Sequence, residues 1–228
     1  AYYIQLRSIQ KEDIIAPIDV ILVPALLVLI EPDLGTAMIV MLIAFSILFF
    51  IGFAWVSYLW IFLSSIITFF IGWTWILKPY QKQRILTFLN PENDLLGAGY
   101  HATQSLIAVG SGLWSGKGFT SGTQSQLRFL PEQTTDFIFS VFAEEHGFIG
   151  AVILITLYFL LFVYIAKIIT RAKNRFAILI TVGATMFIFW HVFVNISMVI
   201  GLLPVVGVPL PFFSYGGSSM LTTMISLG

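Results

Sequence analysis

The feature that most constrains this chain is a succession of long apolar runs that contain almost no charged residues. A helix needs roughly 20 apolar residues to cross a bilayer, and five runs reach or approach that length. Only 10% of the residues are charged and 58% are hydrophobic, whereas soluble domains carry about 25% charged residues. The pattern predicts an all-α, polytopic transmembrane bundle with runs at Ile14–Ile30, Thr36–Phe53, Trp55–Leu77, Gly147–Ala166 and Phe176–Leu203, and a partial sixth beginning near Ser219.

Composition also limits the classes of function. The net charge is zero, which gives no indication of nucleic-acid binding. Cysteine is absent, so disulfides and thiolate metal sites are excluded. The three histidines are far apart and never stand in an H-x-x-x-H pattern, so the sequence predicts no histidine metal site. Because the chain begins at Ala1 and stops inside an apolar run, we expect a fragment of one membrane domain covering residues 1–228.

Basic residues in short connections predict the orientation of the runs. The segment Lys167–Arg175 ("KIITRAKNR") has four basic residues and no acid, which is typical of a cytoplasmic connection. Counting crossings from there places the N-terminal segment, with Arg7 and Lys11, inside as well. The long segment 78–146 is therefore expected outside.

This extracytoplasmic segment carries the apolar spacing of short amphipathic helices. The spacing appears at Ile85, Leu86, Phe88 and Leu89, and again from Leu106 to Val109. Helices of this kind can lie on a membrane surface. The sequence predicts turns between them at Gly97, Gly99, Gly110, Gly112, Gly116, Gly118 and Gly122.

Asp136 is the strongest candidate for chemistry. It stands in "TTDFIF", which has the composition of a helix start, with Thr134 or Thr135 as the cap and Asp136 in the first turn. An acid there also stabilises the helix dipole, which is the structural alternative. Asp136, Ser140 and Glu144 are four residues apart and so share one helical face. A carboxylate on an otherwise apolar helix loses solvation, so its basicity depends on its neighbours, as a general base requires.

Two further groups of ionisable residues flank this segment. Glu144 and Glu145 enter the next apolar run, and one of them is expected to face the bundle interior, either in a site or in a structural ion pair. In "YQKQR", Tyr80 and Arg84 share a helical face. The planar guanidinium of Arg84 suits a phosphate, and interfacial snorkelling is the alternative.

The remaining polar motifs each leave two interpretations open. Asp33 in "EPDLG" is either a turn former or a ligand. The glycine-rich "PLPFFSYGGSS" leads into a helix whose start either holds an anion or packs against neighbours. His191 and Asn195, four residues apart in an apolar run, are expected to form an interhelical hydrogen bond rather than a proton relay. These residues indicate an amphiphilic, anionic substrate and leave the reaction open.

Several motifs do point to a family. In order along the chain they are "EPDLGTA", "YQKQRILTFLNPEND", "LGAGYHATQSLIAVGSG", "GKGFTSGTQSQLRFLPEQTTDFIFSVFAEEHGFIG" and "NISMVIGLLPVVGVPLPFFSYGGSS". The chain resembles the SEDS family (shape, elongation, division and sporulation proteins), which includes RodA, FtsW and SpoVE. The stretches "FLPEQTTDFIFSV" and "GVPLPFFSYGGSS" look more like its RodA branch.

The resemblance implies a ten-span bundle, of which about five spans and a partial sixth are present here. It implies a peptidoglycan glycosyltransferase that polymerises lipid II during cell-wall elongation and cell-shape maintenance. Asp136 would be the general base in the large outer loop. Lys82, Arg84 and Lys117 would stabilise the leaving diphosphate. Further substrate-binding candidates are Tyr80, Gln124, Glu144, Asp33 and Ser214.

The resemblance also implies partners and a location. The partners would be a class B penicillin-binding protein, the elongation machinery and membrane lipids, in the bacterial cytoplasmic membrane with the active site outside. A divalent cation such as Mg²⁺ is a candidate for the diphosphate, although no protein ligand set is evident. The family's P-S-E-x-x-K segment would precede Ala1, and Gln133-Thr134 replaces its frequent Arg-His. A lipid II flippase or a non-catalytic scaffold for the transpeptidase remains as an alternative.

Overall fold

The computed structural model describes residues 23–25, 27–28, 31, 33–51, 58–59, 63, 70, 72, 74, 78–90, 94, 97–122 and 134–228. Within these ranges all regular structure is helical, which confirms the predicted all-α class for the described residues. The chain divides into two compact units, Ala1–Trp75 and Ile76–Gly228. The helices are α1 (Leu34–Ile51), α2 (Pro79–Leu89), α3 (Ala98–Ser111), α4 (Ile138–Arg171), α5 (Arg175–Val199) and α6 (Gly217–Leu227).

Helix α1 belongs to the first unit and begins at a side-chain cap. Asp33 Oδ1 accepts a hydrogen bond from the Thr36 amide at 3.1 Å, and its Oδ2 accepts from the Thr36 hydroxyl at 2.6 Å. These bonds satisfy donors that the first helical turn leaves without intrahelical partners. The predicted run Thr36–Phe53 is thus a helix as far as its described residues extend. The runs Ile14–Ile30 and Trp55–Leu77 lie mostly outside the described residues.

Helices α4 and α5 are the two described helices that are long and apolar enough to cross a membrane, with 34 and 25 residues. Their connection is short, and Asn174 Oδ1 caps α5 by accepting from the Phe176 amide at 3.0 Å. Both predicted spans are confirmed as helices, with different ends. Helix α4 begins at Ile138 rather than at Gly147. Helix α5 stops four residues before Leu203, because the Leu202 amide folds back to the Ser197 carbonyl at 2.8 Å.

The core of the second unit lies where α3, α4 and α5 meet the chain that follows α5. The opposite side of α4 exposes large apolar side chains, among them Phe148 at 57%, Ile153 at 55% and Phe159 at 63%. Such a surface suits lipid rather than water. The buried core of this unit comprises Ala108, Phe137, Phe139, Leu154, Tyr158, Ile188, Val192, Met198, Val199 and Leu210.

Helices α2 and α3 confirm the short helices predicted within the segment 78–146. Pro79 opens α2, and Gln81 Oε1 accepts from the Lys78 amide at 2.9 Å. The buried Ser105 hydroxyl of α3 donates to the Val199 carbonyl at 2.9 Å, which ties α3 to the end of α5. The prediction of turns at Gly99 and Gly110 is wrong, since both lie inside α3. A helix accommodates them because its backbone requires only negative φ angles.

Candidate active site

The turn at residues 134–137 has each of its first three carbonyl oxygens bound by another part of the chain. The Tyr215 amide donates to the Thr134 carbonyl at 2.9 Å. The Ser214 hydroxyl donates to the Thr135 carbonyl, and Asn195 Nδ2 donates to the Asp136 carbonyl at 2.8 Å. The turn is therefore fixed between α5 and the segment that leads into α6.

These bonds explain why the predicted helix start is wrong. Neither threonine caps α4, and Asp136 does not lie in its first turn: the N-cap is Phe137 and the helix begins at Ile138. A helix that began at Thr134 would need the Thr134 and Thr135 carbonyls for its own amides, four residues on. In the structure those carbonyls accept from Tyr215 and Ser214 instead, and the helix begins at Ile138.

The Asp136 side chain is half-buried beside the chain that follows α5. A Cβ atom at Gly207 would lie 3.2 Å from Asp136 Oδ2. Gly207 also has a φ of 78°, a conformation that side chains disfavour. Glycine at this position therefore leaves room for the Asp136 carboxylate where a larger residue would crowd it.

The expected shared face of Asp136, Ser140 and Glu144 is only partly present. Ser140 and Glu144 both have 0% exposure and lie one helical turn apart in α4. Asp136 precedes the helix, so the spacing rule does not extend to it. The Ser140 hydroxyl donates to the Phe137 carbonyl at 2.6 Å, so it closes the first turn of α4.

Glu144 is a buried carboxylate with a defined cationic partner. Lys117 Nζ lies 2.7 Å from Glu144 Oε1, and the Lys117 side chain is 27% exposed. The Ser111 hydroxyl approaches the same oxygen at 3.5 Å. The expectation that one of the two glutamates faces the interior is confirmed for Glu144, and its contact is the ion pair that the sequence offered as an alternative.

The ion pair lies beside a break in α4. Gly147 has φ 67° and ψ −165°, a conformation that is essentially restricted to glycine. On one side of the break, the amides of Lys117 and Gly118 donate to the carbonyls of Glu144 and Glu145, each at 3.0 Å.

The same segment satisfies the backbone groups on the other side of the break. The Phe148 amide donates to the Leu113 carbonyl at 2.8 Å, and the Ile149 amide donates to the Trp114 carbonyl at 3.1 Å. A buried backbone group without a partner is costly, so the segment 113–118 is what makes the break tolerable.

Helix α2 carries the other cationic candidates on its accessible surface. Tyr80 and Arg84 are exposed, and Lys82 is half-buried. Arg84 lines a small groove with Leu106 of α3 and with Pro204. The structure thus brings Arg84 to the chain that follows α5, while Lys117 is paired with Glu144.

The remaining candidate residues lie in separate parts of the chain. Ser214 is buried, and its hydroxyl bridges the turn of Asp136 to the Leu210 amide, which donates to it at 2.6 Å. This is the packing interpretation of the "PLPFFSYGGSS" motif. Asp33 is the N-cap of α1 in the first unit. Gln124 lies outside the described residues.

The sequence predicted an interhelical hydrogen bond for Asn195 and His191, and the structure shows different bonds for the two residues. His191 Nδ1 contacts the Phe187 carbonyl of its own helix at 2.8 Å, so the interhelical prediction is wrong for it. Asn195 does bond across segments, to Asp136 and Val208. The bond from Asn195 to Asp136 was not predicted. The sequence shows only an asparagine inside an apolar run, and the structure shows that this side chain is fully buried. Within the described part of the chain, no group of three His, Cys, Asp or Glu residues could hold a metal ion.

Comparison with known proteins identifies relatives across almost the whole chain. Residues 4–228 match the family described as cell cycle protein, FtsW/RodA/SpoVE. The chain is 47% identical over 221 residues to the peptidoglycan glycosyltransferase MrdB of Escherichia coli (strain K12), which covers 91% of this chain and 56% of that relative. The chain therefore spans little more than half the length of that relative.

Two solved structures share the fold. One is described as a peptidoglycan synthase complex that coordinates polymerization and crosslinking, with a TM-score of 0.78, 32% identity and coverage of 96% of this chain and 60% of that one. The other is the rod shape determining protein RodA of Thermus thermophilus, with a TM-score of 0.62, 27% identity and coverage of 96% and 55%. Since the family match also covers nearly the whole chain, this protein belongs to the FtsW/RodA/SpoVE family of cell cycle proteins.

Proposed function

We propose that the protein is a peptidoglycan glycosyltransferase that polymerises lipid II into glycan strands during cell-wall elongation. The relative of Escherichia coli that bears this activity in its name is 47% identical. The observation that carries the proposal is the turn at residues 134–137, in which three consecutive carbonyls are bound by other segments and Asp136 is half-buried.

Asp136 is the general base in this proposal. Its carboxylate takes the proton from the acceptor sugar hydroxyl, and the resulting oxygen attacks the anomeric carbon of the growing strand. The bond between that carbon and the lipid diphosphate breaks, and the diphosphate leaves with the bonding electrons. A base must be held within hydrogen-bond reach of the proton it removes. The bound carbonyls support this role because they restrict the backbone that carries the carboxylate.

Cationic side chains stabilise the leaving diphosphate. Arg84 and Lys82 are the more available of the candidates, since Lys117 has Glu144 as a partner. Tyr80 and Gln124 are proposed as additional substrate contacts. Ser214 and Glu144 act through the backbone and the ion pair, and Asp33 remains a candidate ligand that also caps α1. Mg²⁺ is proposed to arrive with the substrate rather than on a protein ligand set.

The site faces the outside of the bacterial cytoplasmic membrane, and the complete protein has ten spans. A class B penicillin-binding protein is the proposed partner, within the elongation machinery. The similar solved complex, described as coordinating polymerization and crosslinking, supports a transpeptidase partner.

The experiment compares the full-length protein and its Asp136→Asn variant, each purified with the transpeptidase partner and supplied with lipid II. Glycan strands are resolved on a gel. We expect strands from the wild type and none from a variant that still folds and binds its partner. Equal strands from both would remove Asp136 as the base.

The absence of strands from either protein would favour the two alternatives. A lipid II flippase would then move the substrate across vesicle membranes without polymerising it. A scaffold would show neither activity and would tolerate Asp136→Asn in cells.

A further inference from the structure

Asn195 combines complete burial with a polar amide near the end of α5. Its side chain is 0% exposed, and it lies four residues before the end of the helix at Val199. Burying an amide carries a desolvation cost unless its groups are hydrogen-bonded.

Both hydrogens of the Asn195 amide nitrogen are used. Nδ2 donates to the Asp136 carbonyl at 2.8 Å and also to the Val208 carbonyl. Rotating the amide by 180° would place Oδ1 against two carbonyl oxygens, so the orientation is determined by these acceptors.

The other end of the amide does not contribute in the same way. Oδ1 is buried, and it has no hydrogen-bond partner among the described residues. An aliphatic side chain of the same shape would avoid that desolvation cost. The benefit of an amide at this position must therefore come from the two bonds that Nδ2 donates.

We propose that Asn195 is a positioning residue for the reaction, acting through the backbone of Asp136. This inference rests on the proposed function. The bond to the Asp136 carbonyl fixes the peptide between Asp136 and Phe137, and with it the direction in which the Asp136 side chain leaves the backbone. The second bond ties this peptide to Val208, next to the glycine that leaves room for the carboxylate.

Two neighbouring bonds do not make Asn195 redundant. The Ser214 hydroxyl and the Tyr215 amide hold the carbonyls of Thr135 and Thr134. Those carbonyls lie before Asp136, whereas the Asn195 bond is made to the carbonyl of Asp136 itself. This bond connects the peptide after Asp136 directly to α5. Losing it is expected to shift the base relative to its substrate while the rest of the turn stays in place.

The test uses the full-length protein with its transpeptidase partner and two variants of Asn195. Asn195→Leu keeps the side-chain shape and removes both donated bonds. Asn195→Asp places a carboxylate oxygen against the two carbonyls. Each has a matched control on the same helix: Thr185→Val, whose hydroxyl bonds within α5 at 2.6 Å, and Asn174→Asp, since either residue can cap a helix.

We expect kcat for glycan polymerisation to fall about 10- to 100-fold in both Asn195 variants, because a shift of about 1 Å in a catalytic group has costs of that size. KM for lipid II should stay within about twofold, because the substrate contacts are intact. Hydrogen exchange should accelerate at residues 137–141, where the Ser140 amide bonds to the Phe137 carbonyl. Exchange elsewhere in α4 and α5 should match the wild type, which a general loss of stability would not produce.

Several outcomes would overturn the inference. Folded Asn195 variants with wild-type kcat would show that the bond does not position the base. Accelerated exchange throughout α4 and α5, or failure of both variants to fold, would assign Asn195 a structural role only. A wild-type protein that makes no strands would refute the proposed function instead, and unchanged exchange at residues 137–141 would still refute the positioning.

Discussion

Replacing Lys117 with methionine would remove the ammonium group that faces the buried carboxylate of Glu144. The two groups are 2.7 Å apart, and Glu144 has 0% side-chain exposure. Without the cation the carboxylate stays buried, with the Ser111 hydroxyl 3.5 Å from Oε1. We therefore expect Lys117→Met to lower the free energy of unfolding by more than the same substitution at an exposed lysine.

The expected loss in the free energy of unfolding follows from the different burial of the Glu144 and Lys117 side chains. Removing one partner of a buried ion pair costs about 3–5 kcal/mol. Because the Lys117 side chain is 27% exposed, solvent screens part of the interaction and we take the lower end, about 3 kcal/mol. Glu144→Gln keeps the shape and lets Lys117 reach water, so about 1 kcal/mol is expected. The double variant should then cost only about 2 kcal/mol, since the buried charge is gone.

The free energy of unfolding can be measured for the full-length protein by titrating SDS into detergent micelles and recording helix content by circular dichroism. Lys173→Met is the matched control, since Lys173 is exposed in the connection between α4 and α5, and it should change stability by less than about 0.5 kcal/mol. A Lys117→Met cost no larger than the control would refute the reasoning. So would a double variant whose cost equals the sum of the two single variants.

Three further predictions concern other parts of the chain. Gly147→Ala should destabilise by about 3 kcal/mol in the same SDS titration, because its φ of 67° disfavours a side chain and a Cβ would lie 2.7 Å from the Trp114 carbonyl carbon; unchanged stability would mean that α4 straightens without penalty. Asp33→Ala should cost about 1 kcal/mol as a lost helix cap and Asp33→Asn only a fraction of that, whereas a substrate ligand would lose glycan synthesis in both. EDTA should leave the SDS concentration at the midpoint of unfolding unchanged. If Mg²⁺ accompanies the diphosphate, EDTA should lower glycan synthesis, and added Mg²⁺ should restore it.

The sequence predicted the structure correctly wherever one local pattern determines it. The apolar spacing at Ile85–Leu89 and around Leu106 predicted α2 and α3, because an amphipathic period depends only on neighbouring residues. The long apolar runs predicted α4 and α5 for the same reason. One of Glu144 and Glu145 was expected to face the interior, since an ionised group facing lipid is costly, and Glu144 does so.

The sequence did not predict the structure where distant segments bind backbone groups that a local pattern assigns to a helix. The start of α4 was misplaced because Ser214 and Tyr215, some 80 residues away, bind carbonyls that a local pattern assigns to the helix. The break at Gly147 depends on the segment 113–118 for its hydrogen bonds. Asn195 gave no indication of its partner, because spacing within α5 carries no information about the turn that it contacts.

These errors have a common physical cause that bears on the candidate site. Asp136 lies in the turn before α4, which begins at Ile138, and an irregular backbone beside a membrane helix must find partners outside that helix. The partners are side chains and amides of α5 and of the chain that follows it. The same requirement holds at Gly147, where the segment carrying Lys117 supplies the bonds. Substitutions at the uncharged residues Asn195 and Ser214 should therefore lower glycan synthesis, even though both residues act through the backbone of the turn at residues 134–137 rather than on the substrate.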